Sequence, residues 1–318
     1  MSPDARPEIA VVVPTYRRAD GAARLVDALE AQTLDADRFE VVFVDDCSPG
    51  DHVERLGDRL ARSRLHTRLL QTPRNGGPAA ARNLGWRATD ARVIAFVDDD
   101  CRPAPGWLEA GLAAFAGHDR LGVVQGRTDR PPDSTLGDWT VFREVHGETP
   151  YFEGTNIFFR RDALAEVGGF DEELRFYFED TAAGWAVVDA GWARGYADGA
   201  AVEHDTEERG LGWHVRNGWT EANVVPVALR HPGFRAAAFF PPWTFRRENA
   251  GVAIAWVGLL AGLRWRPALA LVLPWLWWHR PPRGHHRALA LWGERFIVDS
   301  AQTAGHLRGS LRERTLIL

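Results

Sequence analysis

The fold of this chain is decided by the stretch Val93-Ile94-Ala95-Phe96-Val97-Asp98-Asp99-Asp100. Its first five residues are apolar and rich in β-branched types, which predicts a buried strand. The three carboxylates behind that strand repel one another unless a cation lies among them. Oxygen ligands of this kind suit a hard divalent ion such as Mg²⁺ or Mn²⁺. A solvated acidic turn is the alternative, because most short charge runs are solvated.

The composition is that of a folded globular protein. Of 318 residues, 45% are hydrophobic and 25% are charged, and the length suffices for one large or two modest domains. The chain contains no lysine, so all 38 basic residues are arginine. Because no signal peptide and no disulfide framework accompany Cys47 and Cys101, we expect a protein of the reducing cytoplasm.

Charge is distributed unevenly along the chain. Residues 231–318 hold 12 arginines and 4 acidic residues, a balance of +8, whereas the whole chain carries −5 and residues 1–230 therefore carry −13. The basic part also holds seven of the 14 tryptophans. This division predicts an acidic part that holds a metal and a basic, aromatic part that contacts an anionic surface.

Apolar runs alternate with helical patterns at the start of the chain. Strands are predicted at 9–13, 41–44, 68–70 and 93–97, with helices at 25–32, 53–62 and 79–88 between them. Further strands are predicted at 123–125 and 157–159, and a further helix at 180–189. The alternation predicts an α/β fold whose parallel sheet is covered on both faces. Such sheets bind ligands beyond the carboxyl ends of their strands, where Pro14-Thr15, Asp45-Asp46 and the aspartate run lie, so we expect a nucleotide-type crevice there.

The absence of lysine excludes several enzyme classes that place aspartates at strand ends. A phosphate-loop NTPase needs a Gly-Lys-Ser/Thr loop, and receiver domains and sugar-nucleotide pyrophosphorylases also use lysine. Haloacid-type phosphatases place Thr or Val where Cys101 and Arg102 follow the aspartates here. The remaining interpretation is an enzyme that uses a diphosphate-bearing donor. A metal ion held on Asp-x-Asp would neutralise the diphosphate as it departs.

A series of motifs resembles the inverting family 2 glycosyltransferases of the GT-A fold. They occupy residues 11–18, 44–48, 75–83, 96–100, 154–156, 168–172 and 179–180, and the resemblance spans about residues 8–210. It implies a Rossmann-like, mostly parallel sheet flanked by helices, with a helical C-terminal extension. It also implies a Mg²⁺- or Mn²⁺-dependent transfer of a sugar from a nucleotide-diphosphate donor to an acceptor hydroxyl, with inversion.

The resemblance assigns donor binding to eight residues: Pro14, Thr15, Tyr16, Arg18, Asp46, Arg82, Asp98 and Asp99. Pro14, Thr15 and Tyr16 would line the base and ribose pocket, and Asp98 would face the ribose. Asp46 would bond the nucleobase, with a helix N-cap as its alternative. Arg82 would lie near the phosphates, with a surface salt bridge as its alternative.

The same resemblance assigns the metal, the base and the acceptor side. Asp100 and His204 would ligate the metal, and Asp180 would be the general base that deprotonates the acceptor hydroxyl. The acceptor side would comprise Asn156, Glu179 and Trp185. A surface histidine is the alternative for His204, and core packing is the alternative to sugar stacking for Trp185. Alanines at 182, 183 and 186 depart from the family's pattern, which puts the acceptor in doubt more than the reaction.

The C-terminal region has its own pattern. We expect a catalytic domain over 1–230, with donor binding at 9–100 and the acceptor side at 125–220, and a helical extension over 231–318. Its apolar stretches at 250–263 and 268–278 fall short of the roughly 20 residues that a transmembrane helix needs. Basic residues flank these stretches: Arg246, Arg247, Arg280, Arg283, His285, His286 and Arg287. A further amphipathic helix is predicted at 288–310.

This pattern favours helices that lie in the headgroup region of an anionic inner leaflet. A buried core or dimer face, and a re-entrant or spanning hairpin, are the alternatives. We therefore expect a protein peripheral at the inner face of the cell membrane. Its expected partners are a nucleotide-diphosphate sugar, a glycan or lipid-linked acceptor, the membrane surface and a second copy in a homodimer, but no nucleic acid. The alternative function is a non-catalytic membrane-associated module that retains the nucleotide crevice.

Overall fold

The structure, a computed structural model, describes residues 6–240, 243–281 and 287–317. By internal contacts the chain divides into two compact units. Unit one comprises Met1–Thr135 and Phe142–Glu207, and unit two comprises Leu136–Val141 and Glu208–Leu318. The functional division predicted at residue 230 stays a prediction, and unit two begins before it.

Unit one contains most of the strands. The strands in chain order are β1 (Ile9–Thr15), β2 (Phe39–Asp45), β3 (Thr67–Gln71), β4 (Val93–Val97), β5 (Cys101–Pro103), β6 (Leu121–Asp129), β7 (Thr140–Val141), β8 (Asn156–Arg160), β9 (Ala193–His204) and β10 (Glu207–Glu208). The helices of this unit are α1 (Ala19–Glu30), α2 (His52–Ala61), α3 (Pro78–Arg87), α4 (Trp107–Phe115), α5 (Arg161–Glu166) and α6 (Glu179–Asp189). Each predicted strand and helix of this unit is found, but α1 begins at Ala19, six residues before the predicted start at 25, and β6 extends to Asp129, four residues beyond the predicted end at 125.

Eight strands form one sheet in the order β3-β2-β1-β4-β8-β6-β9-β5. The first four pair in parallel, β6 pairs with β9 in parallel, and β8 and β5 run antiparallel to their neighbours. The predicted α/β class with a mostly parallel sheet is therefore confirmed. Because the chain leaves β1 for β2 on one side and returns to β4 on the other, a crevice opens at their carboxyl ends.

The sheet is the centre of the core of unit one. Every residue of β4 is buried, and residues 9–13 of β1 are fully buried, which is the pattern of a sheet covered on both faces. The ring of Phe96 meets those of Phe159 and Phe170 edge to face, at centroid distances of 5.9 and 4.9 Å. Helix α3 lies close to β1 because Gly85 has no side chain; a Cβ there would lie 2.4 Å from Cγ1 of Val12.

Unit two is mainly helical. Its helices are α7 (Leu211–Thr220), α8 (Val224–Arg230), α9 (Pro232–Ala238), α10 (Arg247–Gly262), α11 (Leu273–Trp278) and α12 (Ala288–Arg312). Its small apolar core joins α10, α11 and α12 around Val252, Ala255 and Trp275. The helix predicted at 288–310 is confirmed, whereas the second apolar stretch forms a 3₁₀ segment, Arg266–Val272, followed by α11.

The predicted basic flank lies partly outside the described residues, since Arg283, His285 and His286 are not among them. Within the described part of the chain, no helix combines the length and the apolar character needed to cross a bilayer.

Candidate active site

The strand ends of β1 and β2 turn sharply at the same edge of the sheet. Arg17 and Cys47, just beyond these strands, both adopt left-handed backbone with φ of 59°, which is uncommon for residues other than glycine. Tyr16 is 41% exposed and Pro14 is half-buried, so both lie at the surface of this edge. The side chain of Cys47 is exposed as well.

Thr15 connects the ends of β1 and β4. Its Oγ1 donates to Oδ2 of Asp99 over 2.6 Å, and both side chains are buried. Burial raises the pKa of Asp99 to about 7, although the Thr15 hydrogen bond opposes that rise. Binding of the donor by Asp99 stays a prediction. Residues 98–100 form a turn rather than an extended segment, and Nη1 of Arg18 lies 3.8 Å from Oδ1 of Asp99 as well as against Asp100.

Asp100 and His204 lie next to each other because β5 pairs with the end of β9, where Cys101 stands opposite His204. Oδ1 of Asp100 is 3.4 Å from Nε2 of His204. On its other side, Oδ2 of Asp100 accepts a 2.5 Å hydrogen bond from Nη1 of Arg18, whose Nη2 reaches Oε2 of Glu207 at 3.2 Å. The two predicted metal ligands are thus neighbours, and His204 is 14% exposed in its side chain rather than a surface residue.

The donor set at this place fits a divalent ion. Oδ1 of Asp100 and Nδ1 of His204 are buried atoms without a hydrogen-bond partner among the described residues. Such atoms are costly unless something satisfies them. The ligand atoms of Asp100, Cys101 and His204 lie within 4.8 Å of one another. Burial raises the pKa of the Cys101 thiol well above its usual value, so the carboxylate and the imidazole are the fitting ligands.

Arg82 of α3 occupies the centre of the acidic groups. It is 3% exposed, and it donates from Nη1 to Oε1 of Glu179 over 2.8 Å and from Nη2 to Oδ1 of Asp98 over 2.9 Å. Burial acts to lower the pKa of this guanidinium, but the carboxylates of Asp98, Glu179 and Asp180 outweigh burial and raise it. The alternative of a surface salt bridge is wrong, because the pair is enclosed by the protein.

Asp180 lies in the first turn of α6. Its Oδ2 accepts from the backbone N–H of Gly154 over 2.7 Å, and its Oδ1 accepts from the N–H of Thr181 over 2.7 Å. Burial raises the pKa of Asp180, whereas Arg82 and these amides oppose the rise. Burial and the charge of Asp180 also raise the pKa of Glu179 to about 7. Two carboxylates with displaced pKa values thus lie at one helix terminus, which is common at catalytic sites.

The segment before α6 is strained. Tyr177 and Phe178 have φ of 65° and 70°, a left-handed conformation in which bulky residues are rare. Such strain persists only where the surroundings enforce it, and it costs roughly 1–3 kcal/mol for each residue. It places Glu179 and Asp180 at the sharp start of a helix. No period or propensity in the sequence indicates this turn.

Glu153 is a further buried carboxylate that the sequence did not reveal. It accepts from Oγ1 of Thr149 over 2.8 Å and from the amide of Gln125. Burial raises its pKa, and the charge of Asp180 acts in the same direction. The sequence signal that could have identified Glu153 is its position directly before Gly154, the first residue of the 154–156 motif.

Asp46 holds the loop before α3. Its Oδ1 accepts from the N–H of Gly76 over 2.9 Å and from Oγ1 of Thr72 over 2.8 Å, and its Oδ2 accepts from the N–H of Gly77 over 2.7 Å. The N-cap alternative is wrong, because α2 begins at His52. The bond to a nucleobase stays a prediction. Gly77 has φ of +86°, which only glycine adopts without strain.

The side chain of Asn156 is buried and hydrogen-bonded. Its Nδ2 donates to the carbonyls of Arg127 and Ala200, both over 2.8 Å, and its Oδ1 accepts from Nε1 of Trp107 over 2.8 Å. With 1% exposure, the side chain ties β6, β9 and α4 together. These contacts are structural, and the acceptor-side role of Asn156 stays a prediction.

Trp185 is a core residue. It is 6% exposed, its Nε1 donates to the carbonyl of Pro150 over 2.8 Å, and its ring meets Phe152 edge to face at 5.9 Å. This burial favours the core alternative over sugar stacking, and the acceptor-side role of Trp185 stays a prediction. Of the predicted acceptor-side residues, only Glu179 lies with the acidic groups around Arg82.

A profile of glycosyl transferase family 2 matches residues 10–168, half of the chain. The chain belongs to glycosyl transferase family 2, and the resemblance noted from its motifs is confirmed.

Curated relatives agree with this assignment. The chain is 28% identical over 268 residues to the pre-mycofactocin glycosyltransferase of Mycobacterium tuberculosis, covering 80% of this chain and 53% of that protein. It is 26% identical over 176 residues to the glycosyltransferase AglE of Haloferax volcanii, covering 53% of this chain and 57% of that protein. The chain thus spans about half the length of the curated relatives it matches.

Solved structures confirm the GT-A fold. The mannosyltransferase PcManGT from Pyrobaculum calidifontis, in complex with GDP-Man and Mn²⁺, superposes with a TM-score of 0.62 at 20% identity, covering 98% of this chain and 88% of that one. Residues 1–349 of TarS from S. aureus superpose with a TM-score of 0.55 at 18% identity, covering 97% and 92%. Both likenesses extend over the C-terminal helical region.

Proposed function

We propose that this protein is a metal-dependent inverting glycosyltransferase that moves a sugar from a nucleotide-diphosphate donor to an acceptor hydroxyl. The observation that carries the proposal is the cluster formed around Arg82. Asp98 of the aspartate run lies on one side of this arginine, and Glu179 and Asp180 lie on the other. Donor-side and acceptor-side carboxylates are therefore held together by one cation.

The donor would bind in the crevice at the ends of β1, β2 and β4. Pro14, Thr15 and Tyr16 stand at the end of β1, and Asp98 stands half-buried behind β4. The titles of the matched structures support a nucleotide-sugar donor, since PcManGT was solved with GDP-Man and TarS with UDP-GlcNAc. Asp46 would contact the base from the loop that it already holds.

Asp100 and His204 would hold the Mg²⁺ or Mn²⁺ ion, which when bound supplies Lewis-acid stabilisation of the departing diphosphate. Arg18 would assist from the same side, because its guanidinium already lies against Asp100. Cations placed where charge develops are typically a large contribution to catalysis.

Asp180 would act as the general base. The acceptor O–H bond breaks and its proton passes to the carboxylate of Asp180, while the acceptor oxygen forms a bond to the anomeric carbon. The bond from that carbon to the diphosphate breaks, and its electron pair leaves with the diphosphate. A single displacement of this kind inverts the anomeric configuration and needs no enzyme nucleophile. The raised pKa of Asp180 suits a base that works near neutral pH.

A thermal-shift screen tests the donor class. Nucleotide diphosphates and nucleotide sugars are tested with and without Mn²⁺, since ligands that bind the native state raise the melting temperature. We expect at least one nucleotide to stabilise the protein only with Mn²⁺, and Asp100→Ala to lose that dependence while folding normally. An Mn²⁺ effect that is unchanged in Asp100→Ala would contradict the metal assignment.

We also propose that unit two lies on an anionic membrane surface and that the acceptor is lipid-linked or part of the cell envelope. Large apolar side chains are exposed along residues 254–278: Ile254, Trp256, Val257, Leu260, Leu263, Trp265, Leu269, Leu271, Leu273, Trp277 and Trp278. Residues 250–280 contain arginines at 264, 266 and 280 and no acidic residue. Exposed apolar surface flanked by arginine is the chemistry that anionic lipid attracts.

A further inference from the structure

We infer that Arg82 is a positioning residue for the general base, holding Glu179 and Asp180 in the arrangement that takes the acceptor proton, rather than a ligand of the donor phosphates. The inference rests on the proposed function, since it assigns Asp180 the role of base. It differs from the donor-binding role that the motif around Arg82 implies.

Both terminal nitrogens of the guanidinium are bonded to carboxylates. Nη1 is bonded to Glu179 and Nη2 to Asp98, at 2.8 and 2.9 Å. Its Nε is a buried donor without a hydrogen-bond partner among the described residues. Cζ lies over the ring of Phe170, 5.7 Å from the centroid. Because Arg82 is only 3% exposed, a phosphate oxygen could reach either terminal nitrogen only if a carboxylate moved away.

Gly154 allows the base to lie close to the arginine. A Cβ at this position would lie 2.7 Å from Nη2 of Arg82 and 3.2 Å from Oδ2 of Asp180. The same glycine donates its N–H to that oxygen over 2.7 Å. A glycine therefore stands where any side chain would separate Asp180 from the guanidinium.

The ionisation of Asp180 depends on Arg82 because acidic groups surround Asp180. Asp98 behind β4, Glu179 on α6 and Glu153 in the loop before β8 are all acidic; Arg82 acts on Glu179 and Asp180, whereas Arg143 acts on Glu153. Carboxylates crowded in a buried place favour protonation, and a nearby cation favours ionisation. Without Arg82, we expect the pKa of Asp180 to rise, so that less of this carboxyl is ionised and able to accept the acceptor proton.

Three substitutions separate charge from structural damage. Arg82→Gln removes the cation, Arg82→Lys keeps a cation without the two-pronged contact, and Asp98→Asn removes a neighbouring negative charge that raises the pKa of Asp180, with almost no change of shape. The ionisation of Asp180 is followed directly by ¹³C NMR of its carboxyl carbon, assigned by comparison with Asp180→Asn. The acid limb of the pH profile is measured on hydrolysis of UDP-GlcNAc or GDP-mannose with Mn²⁺, whichever the wild type turns over. Donor affinity is measured by calorimetry.

We expect the midpoint of Asp180, and with it the acid limb, to move up by about one pH unit in Arg82→Gln, and the midpoint to move down in Asp98→Asn, in line with the effect of a single close charge. Arg82→Lys should restore most of the midpoint while turnover falls at least about tenfold, because the fork geometry is lost. Donor affinity should change less than about threefold in both Arg82 variants. A general loss of structure would not move the Asp180 midpoint in opposite directions in variants of two neighbouring residues.

Other results overturn the inference. A donor affinity reduced tenfold or more in both Arg82 variants, with an unmoved Asp180 midpoint, would make Arg82 a donor ligand and leave the proposed function intact. A wild type that turns over neither donor would count against the proposed function, and the NMR titration would still decide the inference. If Arg82→Gln fails to fold, Arg82→Lys decides alone: a donor affinity reduced tenfold or more, with unchanged turnover at saturating donor, contradicts the inference.

Discussion

At the residue scale, the site consists of carboxylates in different surroundings. Asp98 is half-buried, Asp99 is enclosed with Thr15, Asp100 lies between Arg18 and His204, and Asp180 lies between two amides. Surroundings rather than residue type therefore decide what each carboxyl can do. Three adjacent aspartates that look alike in the sequence have three different partners in the structure.

Asp180→Asn tests the base directly. The amide keeps the shape of the side chain but cannot accept the acceptor proton, so we expect transfer to fall by about 10²–10⁴-fold, the usual contribution of a positioned base. Donor and metal binding should be unchanged, because Asp180 contacts neither predicted metal ligand in the structure. Kinetics with the donor identified by the screen, and NMR of the product anomer, check both points. Retention of configuration in the wild-type product would exclude a single displacement.

Glu179 makes stability depend on pH. Its pKa is raised by burial to about 7, so the folded state binds this proton more tightly than the unfolded state does. The stabilising contribution of this tighter proton binding is fully present below about pH 4.5, the pKa of the group in the unfolded state, and is lost as the pH rises through 7. We expect Glu179→Gln to raise the melting temperature at pH 7.5 relative to wild type by at least ~2 °C, with a smaller difference at pH 5. Scanning calorimetry at the two values measures this; equal differences at both would contradict the shifted ionisation.

At the element scale, two helical glycines have opposite surroundings. A Cβ on Gly85 of α3 would lie 2.4 Å from Val12, whereas one on Gly57 of α2 would lie 3.8 Å from Leu69, an ordinary contact. We expect Gly85→Ala to lower the free energy of unfolding by about 1–3 kcal/mol through overpacking. Gly57→Ala should raise it by about 0.5–1 kcal/mol through helix propensity, and serves as the matched control. Urea denaturation of both variants measures the difference; a stabilised Gly85→Ala would show that α3 can move away from β1.

The strands that could be predicted from the sequence are those whose hydrophobic pattern follows from their burial. β1, β2 and β4 are buried on both faces, so they appear as continuous apolar runs, and the polar groups behind them mark the crevice. β9 was not predicted because it is exposed at its start, rich in alanine and glycine, and shifted in register against β6. Pairing of β9 with β5 is what brings His204 to Asp100, so this contact came from the resemblance and not from any local pattern.

The surroundings of side chains at the candidate site could not be predicted from the sequence for a similar reason. Asn156 and Trp185 stand in family motifs, but a motif does not say on which side of the backbone a side chain lies. Their burial depends on α4, β9 and the loop at Pro150, which are distant in sequence. Arg82 was predicted to lie near the phosphates, which stays a prediction. Its carboxylate partner Glu179 follows directly after the strained turn at Tyr177 and Phe178, which no local pattern in the sequence indicates.

At the scale of the whole molecule, unit two provides an exposed apolar surface that can be tested on lipid. We expect the protein to float with anionic vesicles at low salt and to dissociate as salt rises, because exposed charges are screened. Trp265→Ser with Trp277→Ser should abolish flotation. Arg264→Gln with Arg266→Gln should weaken it and reduce its salt dependence, whereas Arg62→Gln with Arg92→Gln on unit one is the charge-matched control. A wild type that stays at the bottom of the gradient but sediments as a dimer would favour the dimer-face alternative.

The ion pairs of unit two indicate which arginines would carry the salt-sensitive part of vesicle binding. Arg246 lies 3.4 Å from Glu221, and Arg287 pairs with Asp138 and Glu294, so these two are already neutralised within unit two. Arg280 stacks on Trp277, with Cζ 4.1 Å from the ring centroid, and remains exposed. Arg264, Arg266 and Arg280 are therefore the better candidates, and Arg283 lies outside the described residues.

The left-handed turn beyond β2 gives the protein a natural reporter position. Of its two cysteines, Cys101 is buried with a pKa raised by burial, while Cys47 is exposed directly after Asp46. A maleimide dye should therefore attach at Cys47 alone, at the rim of the crevice, without any engineered residue. A bound nucleotide should slow that attachment, and the fluorescence of a dye attached there should respond to the nucleotide. Donor occupancy could then be followed in real time before any acceptor is known.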